Sequence, residues 1–407
     1  MPPLPDSTLS LLTHGYAWLP NRMRTSASGT VKTRLLGRPA IAVRGPQAVD
    51  FFYDERHVER AAALPGPVLD TLFGQGAVHT LDGGEHRVRK ALFLALLKDG
   101  EGIASLSEQV VRSWREAASG WKQDEVVLFD EAGLVLARAV CEWVGLELSD
   151  AESAEMARDC TAMVDGFATL GPRHLRARRA RARQEKALSA VITGIRDRPE
   201  HPAGPSALEA VARHLDGDGQ PLDAHTAAVE LLNIIRPTIA ITWFITFAAH
   251  ALHRWPQHQE LLSADPQGDY AQAFAHEVRR FYPFAPFVGG LAADDLTWQG
   301  EHIAKGSLIL LDLYGQNHDP ALWEAPYRFD PHRFTSAGRL PDNLIPQGGG
   351  DPARGHRCPG EDITVTVLAT LLTELAGLDY EVPDQDLTIP LSRMPTAPRS
   401  RFVLRCR

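Results

Sequence analysis

Cysteine is scarce in this chain: its 407 residues include four, at positions 141, 160, 358 and 406. Their spacing is irregular, and a chain of this length with so few thiols is not held together by a disulfide framework. The sequence therefore excludes a small disulfide-stabilised scaffold.

Positive charge is also in deficit, with 42 Lys and Arg against 51 Asp and Glu and a formal net charge of -9. Proteins that bind nucleic acid draw on an excess of Lys and Arg, so we expect no nucleic-acid partner. One basic run, RHLRARRARARQ at Arg173 to Gln184, opposes this trend. A solvated helical face is the simpler interpretation of the run, and attraction to anions or to a lipid surface is the alternative.

Long uninterrupted apolar runs are missing as well. The first residues, MPPLPDSTLSLL, contain neither a basic leader nor a long apolar run, so we expect no signal peptide or anchor. The longest apolar stretch, Val229 to Leu252, is interrupted by Asn233, Arg236 and Pro237. It predicts a buried core helix and no membrane span, which is typical of a cytoplasmic protein.

The composition is that of an ordinary soluble globular protein, with 44% apolar and 23% charged residues. No linker or tandem repeat divides the chain, so we expect one domain over residues 1–407. Segments such as SEQVVRSWREAASGW and AFAHEVRRFYP place apolar residues three and four apart, as helices do. Short β-like runs such as VKTRLLGRPAIAV and RFVLRC are few, which predicts a mainly α fold with a minor sheet.

The segment NIIRPTIAI breaks two local rules inside an apolar helix. Arg236 is costly to bury without a partner, and Pro237 removes a helical hydrogen bond. Such violations are expected at functional sites.

A second motif is Glu277-x-x-Arg280, followed downstream by NHDPALWEAPYRFDPHRF. Taken alone, Glu and Arg three apart on a helix are most simply a surface ion pair. The aromatic, turn-rich loop adds Arg333, which could complete a buried triad with them.

A third motif is the loop PQGGGDPARGHRCPGED, in which Cys358 precedes an apolar helix. A thiolate at a helix N-terminus is favoured by the helix dipole, which predicts a lowered pKa. No second cysteine or histidine pair stands at zinc spacing. A single thiolate ligand indicates haem, where cysteine pushes electron density towards O–O cleavage.

With the Glu277-x-x-Arg280 pair, the Arg333-Phe334 loop and the Cys358 loop in this order, nearly the whole chain resembles the cytochrome P-450 family. The resemblance implies a helical body, a smaller β-sheet region, and haem b buried between the long central helix and the helix that follows its axial ligand, Cys358. Two positions depart from the common pattern. Asp351 stands where the cysteine loop usually begins with Phe, and NIIRPTIAI lacks the usual acid and Thr of the central helix.

The departures resemble one branch, the bacterial fatty-acid peroxygenases. That branch shares the Arg-Pro pair, the Gly-Gly-Gly-Asp loop and stretches similar to GYAWLPNRMR, LFGQGAVHTLDGGEH and YPFAPFVGG. It implies long-chain fatty acid and hydrogen peroxide as substrates, without an obligatory redox protein. The implied reaction is oxidation at Cα or Cβ, by hydroxylation or by decarboxylation to terminal alkenes.

The resemblance also assigns the catalytic residues. Arg236 is expected to bind the fatty-acid carboxylate, and Pro237 to help aim its side chain. The bound carboxylate then replaces the missing acid as general acid and base. Phe73 and His79 are expected to line the pocket, with His79 biasing the reaction towards decarboxylation; the alternative is that His79 only satisfies a buried polar contact.

Further positions are assigned to the cofactor and the alkyl chain. His86 and Lys90, four apart on a helix, are expected to meet the haem propionates together with Arg60 and His356. A surface or capping role is the alternative for each. Phe287 is expected to line the alkyl tunnel.

Two other functions stay open at this point. One is a conventional monooxygenase that receives electrons from a reductase, which the altered central helix disfavours. The other is a haem or fatty-acid-binding sensor without turnover.

Overall fold

The computed structural model describes residues 4–26, 29–121, 124–197, 206–335 and 340–407. About 54% of the chain is helical, which confirms the mainly α prediction. The α-helices are Thr8–His14 (α1), Trp18–Arg24 (α2), Pro46–Tyr53 (α3), Gly66–Val68 (α4), Gly83–Leu97 (α5), Gly100–Ser119 (α6), Leu128–Val144 (α7), Asp150–Gly166 (α8), Pro172–Arg196 (α9), Ala207–Ala212 (α10), Ala224–Ile239 (α11), Ile241–Arg254 (α12), Gln257–Ser263 (α13), Asp269–Phe281 (α14), Leu313–Asn317 (α15) and Glu361–Ala376 (α16). A π turn at Leu69–Phe73 and 3-10 turns at Gly15–Ala17, Val78–Thr80 and Pro331–Phe334 complete the helical part.

The β structure forms three small sheets beside the helices. The strands are Val31–Leu35 (β1), Arg38–Val43 (β2), Val58–Glu59 (β3), Glu125–Val127 (β4), Phe287–Ala292 (β5), Leu296–Trp298 (β6), Glu301–Ile303 (β7), Leu308–Asp312 (β8), Tyr380–Glu381 (β9) and Val403–Cys406 (β10). The largest sheet has the order β1-β2-β8-β5-β3, and within it only β2 and β8 pair in parallel. The predicted runs VKTRLLGRPAIAV and RFVLRC are therefore β1–β2 and β10.

Helices α11 and α12 form the centre of the molecule. From Ala227 to Ala249 every residue is buried except Pro237. The stretch Ala224–Arg254 is long and apolar enough to cross a membrane, but 94% of its most apolar window is buried inside the protein. It is a core helix, as its interrupted apolar pattern predicts.

The Glu277, Arg280 and Arg333 side chains form the predicted triad. Glu277 and Arg280 are fully buried, and Arg280 Nε and Nη2 each donate to the Glu277 carboxylate at 2.7 Å. Arg280 Nη1 also donates to the carbonyl oxygens of Asn317 and Pro326 at 2.7 and 2.9 Å. Arg333 Nε lies 3.7 Å from Glu277 Oε1. The pair joins α14 to the loop that precedes the Cys358 segment.

Replacing Arg280 with Met should destabilise the protein strongly, because Glu277 would remain buried without its two hydrogen bonds from Arg280 and would keep only the one from the Asp330 N–H. Loss of one partner of a buried ion pair costs about 3–5 kcal/mol. Urea unfolding followed by circular dichroism measures the change. Arg328→Met is the matched control, since Arg328 pairs with Asp330 at 2.6 Å but its side chain is 68% exposed, and exposed pairs contribute about 1 kcal/mol or less. Equal losses in the two variants would contradict the prediction.

Candidate active site

Arg236 is a buried guanidinium without a counter-charge. It lies near the end of α11, is 6% exposed, and donates from Nη2 to Asn233 Oδ1 at 3.4 Å. Its Nε has no hydrogen-bond partner, and no ion pair joins it to another described residue. Burial, reinforced by the nearby Arg181, lowers the pKa of Arg236 to about 9. A buried cation in this condition is costly unless an anion joins it.

Pro237 interrupts the central helix next to Arg236. Because proline has no N–H, the carbonyl of Asn233 loses its helical donor. Helix α11 ends at Ile239, and α12 starts at Ile241 after the Ala240 N–H has bonded to the Arg236 carbonyl at 2.9 Å. Pro237 itself is exposed although its neighbours are buried. An open space therefore borders the helix beside Arg236.

Phe73 and His79 lie together with Arg236. The Arg236 Cζ atom is 5.9 Å from the centre of the Phe73 ring, and the rings of Phe73 and His79 are 4.4 Å apart. Burial, and next the charge of Arg236, holds the pKa of His79 well below its usual range. The ring is therefore neutral at physiological pH, and it can donate a hydrogen bond without carrying a positive charge. Its Nδ1 has no partner among the described residues.

The structure adds Arg181, which the sequence analysis placed in the basic run without a separate role. Arg181 is 2% exposed and points inward from α9. It donates to the carbonyl oxygens of Leu72 and Phe73 at 2.7 and 2.8 Å, and to Glu185 at 2.6 Å. Gly74, with φ of +86°, lies against the same guanidinium and leaves no room for a Cβ. Arg181 thus fixes the turn that carries Phe73.

Glu230 is a second site residue that the sequence analysis did not assign. It fixes the chain at Val78, beyond the turn that carries Phe73. Its carboxylate is fully buried and accepts hydrogen bonds from the Val78 N–H and from Arg89 Nη1, both at 2.7 Å. Asn233, one turn further along α11, donates to the Phe73 carbonyl at 2.8 Å. A glutamate inside the apolar segment AAVELLNII was the available sequence signal for this role.

Cys358 lies in the loop that leads into α16. Its N–H donates to the Gln347 carbonyl at 3.4 Å, and Gln347 Nε2 lies 3.7 Å from the sulfur. Burial and the neighbouring Glu361 raise the pKa of the Cys358 thiol, and they outweigh the Gly360 N–H and the charge of Lys90. The prediction that the helix terminus lowers this pKa is therefore wrong for the protein groups alone. A metal ion bound to the sulfur would deprotonate it directly.

The four residues predicted to meet the haem propionates gather near Cys358. The rings of His86 and His356 stack with centres 3.9 Å apart. Lys90 Nζ donates to the carbonyl of Arg357 at 2.6 Å, and Arg60 is close enough to lower the pKa values of both histidines.

One carboxylate, Asp82, faces this cationic group. It accepts from the Arg60 N–H at 2.8 Å, and it lies 3.3 Å from His356 Nε2. Burial lowers the pKa of His86 to about 3 and that of Lys90 to about 8, so added negative charge would be needed to hold both side chains in their charged forms. A cofactor that carries two carboxylates would supply it.

These features fit a haem held by a single thiolate. In the part of the chain that the structure describes, no group of three or more His, Cys, Asp or Glu side chains could hold a metal ion. Cys358 offers one sulfur as a ligand. Cys358 and Arg236 are near enough for the thiol to affect the Arg236 pKa.

Phe287 stands apart from the other predicted pocket residues. It begins β5, and its ring packs edge-on against Trp18 with centres 6.3 Å apart. No described ring contact joins it to Phe73 or His79, so its place in an alkyl tunnel stays a prediction.

Comparisons with protein families and solved structures show which family this chain is similar to. The cytochrome P-450 family model matches residues 263–386. The solved structure of cytochrome P450SP alpha is 40% identical over 98% of both chains, with a TM-score of 0.93. Cytochrome P450EX alpha with myristic acid is 38% identical, covers 98% of this chain and 96% of its own, and has a TM-score of 0.91. Cytochrome P-450 OleT in complex with arachidonic acid is 35% identical over 100% and 98% of the two chains, with a TM-score of 0.92.

Curated relatives match over very different lengths: beta-amyrin 28-monooxygenase from Vitis vinifera is 23% identical over 97% of this chain and 88% of its own. Salutaridine synthase from Papaver somniferum is 36% identical over 116 residues, which are 26% of this chain and 23% of that protein. The solved structures align along almost the entire chain. The chain belongs to the cytochrome P-450 family, within the fatty-acid peroxygenase branch that its Arg-Pro pair and Gly-Gly-Gly-Asp loop predict.

Proposed function

We propose that this protein uses hydrogen peroxide to oxidise long-chain fatty acids at Cα or Cβ. The observation that carries the proposal is the buried guanidinium of Arg236, which has no ion pair with a described residue and lies beside the open space. Two similar structures contain myristic and arachidonic acid, whose carboxylates match such a site.

Arg236 would hold the substrate by its carboxylate. A guanidinium presents two parallel N–H donors to a carboxylate, so it fixes both the distance and the orientation of the first carbons of the chain. Cys358 would hold haem b, Arg60, His86, Lys90 and His356 would pair with its propionates, and the haem would supply the oxidising chemistry with peroxide. Positioning alone then selects Cα and Cβ, because they are the carbons next to the clamped group.

The proton transfer falls to the substrate carboxylate, because α11 offers no free acid near Arg236. The nearest hydroxyl on the helix, Thr238 Oγ1, donates back to the Ile234 carbonyl at 2.9 Å. Glu230 is already bonded to Arg89 and the Val78 N–H. The clamped carboxylate is therefore the group positioned to accept and return a proton as general base and acid.

Incubation of the haem-loaded protein with hydrogen peroxide and a saturated long-chain acid tests this proposal. Mass spectrometry should find hydroxy acids or terminal alkenes, and the methyl ester of the same acid should remain unchanged. Formation of neither product would refute the proposal. Turnover that needs ferredoxin and reductase and survives catalase would support a conventional monooxygenase, whereas spectral binding without oxidation would support a sensor.

His79→Gln should shift the products from alkene towards hydroxy acid. The neutral His79 ring lies beside Phe73 with a free Nδ1, so it can offer a hydrogen bond near the reacting carbons. One hydrogen bond contributes about 1 kcal/mol, which corresponds to about fivefold in the product ratio. Gas chromatography of the products measures the ratio.

The matched control for this exchange is His225→Gln, since the His225 side chain is 52% exposed at the start of α11. It should leave the product ratio unchanged. If His79→Gln also leaves it unchanged, His79 serves only to satisfy a buried polar contact.

A further inference from the structure

We propose that one face of this protein docks on an anionic lipid surface. This apolar face consists of Leu9 and Leu12 on α1, Leu170 and Leu175 at the connection from α8 to α9, and Leu391. Their exposed fractions are 73%, 38%, 77%, 49% and 36%. Single exposed leucines are normal, but a contiguous set indicates an interaction surface.

Three segments of the chain form this face, and the structure joins them directly. Leu12, Leu170 and Met394 line one surface cavity of about 390 Å³. The Tyr16 N–H, just after α1, donates to the Leu391 carbonyl at 2.9 Å. Leu12, Leu170 and the segment around Leu391 therefore lie close together, Leu9 is three residues from Leu12 on α1 and so shares its side, and Leu175 follows Leu170 by five residues.

The same side carries a run of arginines, although the chain as a whole is acidic. Residues 166–183 contain six arginines and no acid. Four of the six have partners: Arg181 is buried, and the other three pair with aspartates, namely Arg173 with Asp165, Arg178 with Asp70 and Arg183 with Asp159.

The remaining two arginines, Arg176 and Arg179, are exposed and form no ion pair with a described residue. Leu175 and Arg179 are four apart on α9 and so share its outer side, with Arg176 adjacent. Positive charge thus borders the exposed leucines.

This combination fits a lipid surface better than other occupants. Leucines can enter the acyl boundary while arginines meet anionic head groups. A second copy of the chain, related by a two-fold axis, would bring the same arginines against each other. Nucleic acid would leave the leucines in water. A lipid surface is also where poorly soluble fatty acids accumulate.

Vesicle flotation tests the proposal with the haem-loaded protein. Vesicles of phosphatidylglycerol and phosphatidylcholine should carry the protein, pure phosphatidylcholine vesicles should not, and high salt should release it. The double variants Leu170→Ser/Leu175→Ser and Arg176→Glu/Arg179→Glu should each lower the partition coefficient by at least about tenfold.

Two control pairs test whether the effect is specific to this face. Leu215→Ser/Leu261→Ser changes leucines that are 48% and 40% exposed elsewhere, and Arg254→Glu/Lys305→Glu changes exposed cations elsewhere. Both should retain vesicle binding. Absence of binding by the wild-type protein, equal losses in the controls, or a dimer that the face variants dissociate in sedimentation would each overturn the proposal. The flotation readout needs no turnover, so it is independent of the proposed peroxide reaction.

Discussion

Arg236→Ala is expected to bind haem normally but to lower kcat/KM for fatty-acid oxidation by about 100- to 10,000-fold. The variant would no longer bind the substrate carboxylate. It would therefore lose both the positioning of the fatty acid and the group that transfers the proton. Because burial lowers the pKa of Arg236 only to about 9, the wild-type side chain stays charged at physiological pH before substrate arrives. Alanine cannot regain this charge, so a modest change of pH should not restore the activity of the variant.

Three measurements separate this effect from general damage. The haem content reports folding, a spectral titration with fatty acid reports binding, and peroxide-dependent product formation reports chemistry. Arg236→Lys keeps the charge but offers no planar pair of donors, so it should fall between the wild type and alanine. Arg87→Ala, at a side chain that is 57% exposed, is the control and should behave as the wild type. Full activity in Arg236→Ala would show that another group binds the carboxylate.

The sequence predicted the Arg236-Pro237 pair and the Glu277-Arg280 pair because the residues of each pair are close together in the chain. Arg236 and Pro237 violate local rules next to each other, and Glu277 and Arg280 share one helical face, so each pair is visible without a structure. Their placement then confirmed the core helix and the buried triad. The meeting of Phe73 with Arg236 depended on the family resemblance, since 163 positions separate them.

The residues that the sequence analysis missed act across long distances in the chain. Arg181 looked like one more cation in a basic run, and only the packing of α9 against the turn at Leu69–Phe73 reveals that it points inward. Glu230 similarly needs a partner from α5, Arg89. The pKa of Cys358 was predicted wrongly because burial depends on the tertiary fold, whereas the helix dipole can be anticipated from the sequence.

Cys358→Ser should abolish peroxide-driven oxidation to background and change the absorption spectrum of the bound haem. Serine keeps the size and the position at the start of α16, but an alcohol does not push electron density onto iron as a thiolate does. Haem content and spectrum are measured together with product formation, so that a loss of cofactor is distinguished from a loss of the thiolate.

The control for this substitution is Cys406→Ser, which changes a buried cysteine on β10 and should retain both spectrum and activity. Gln347→Leu gives a graded comparison, because it keeps the thiolate and removes the amide that lies 3.7 Å from the sulfur and also bonds to Arg279 and Thr364. Its spectrum should move less than that of Cys358→Ser, and its activity should persist. A Cys358→Ser variant that kept the wild-type spectrum would mean that another residue provides the axial ligand.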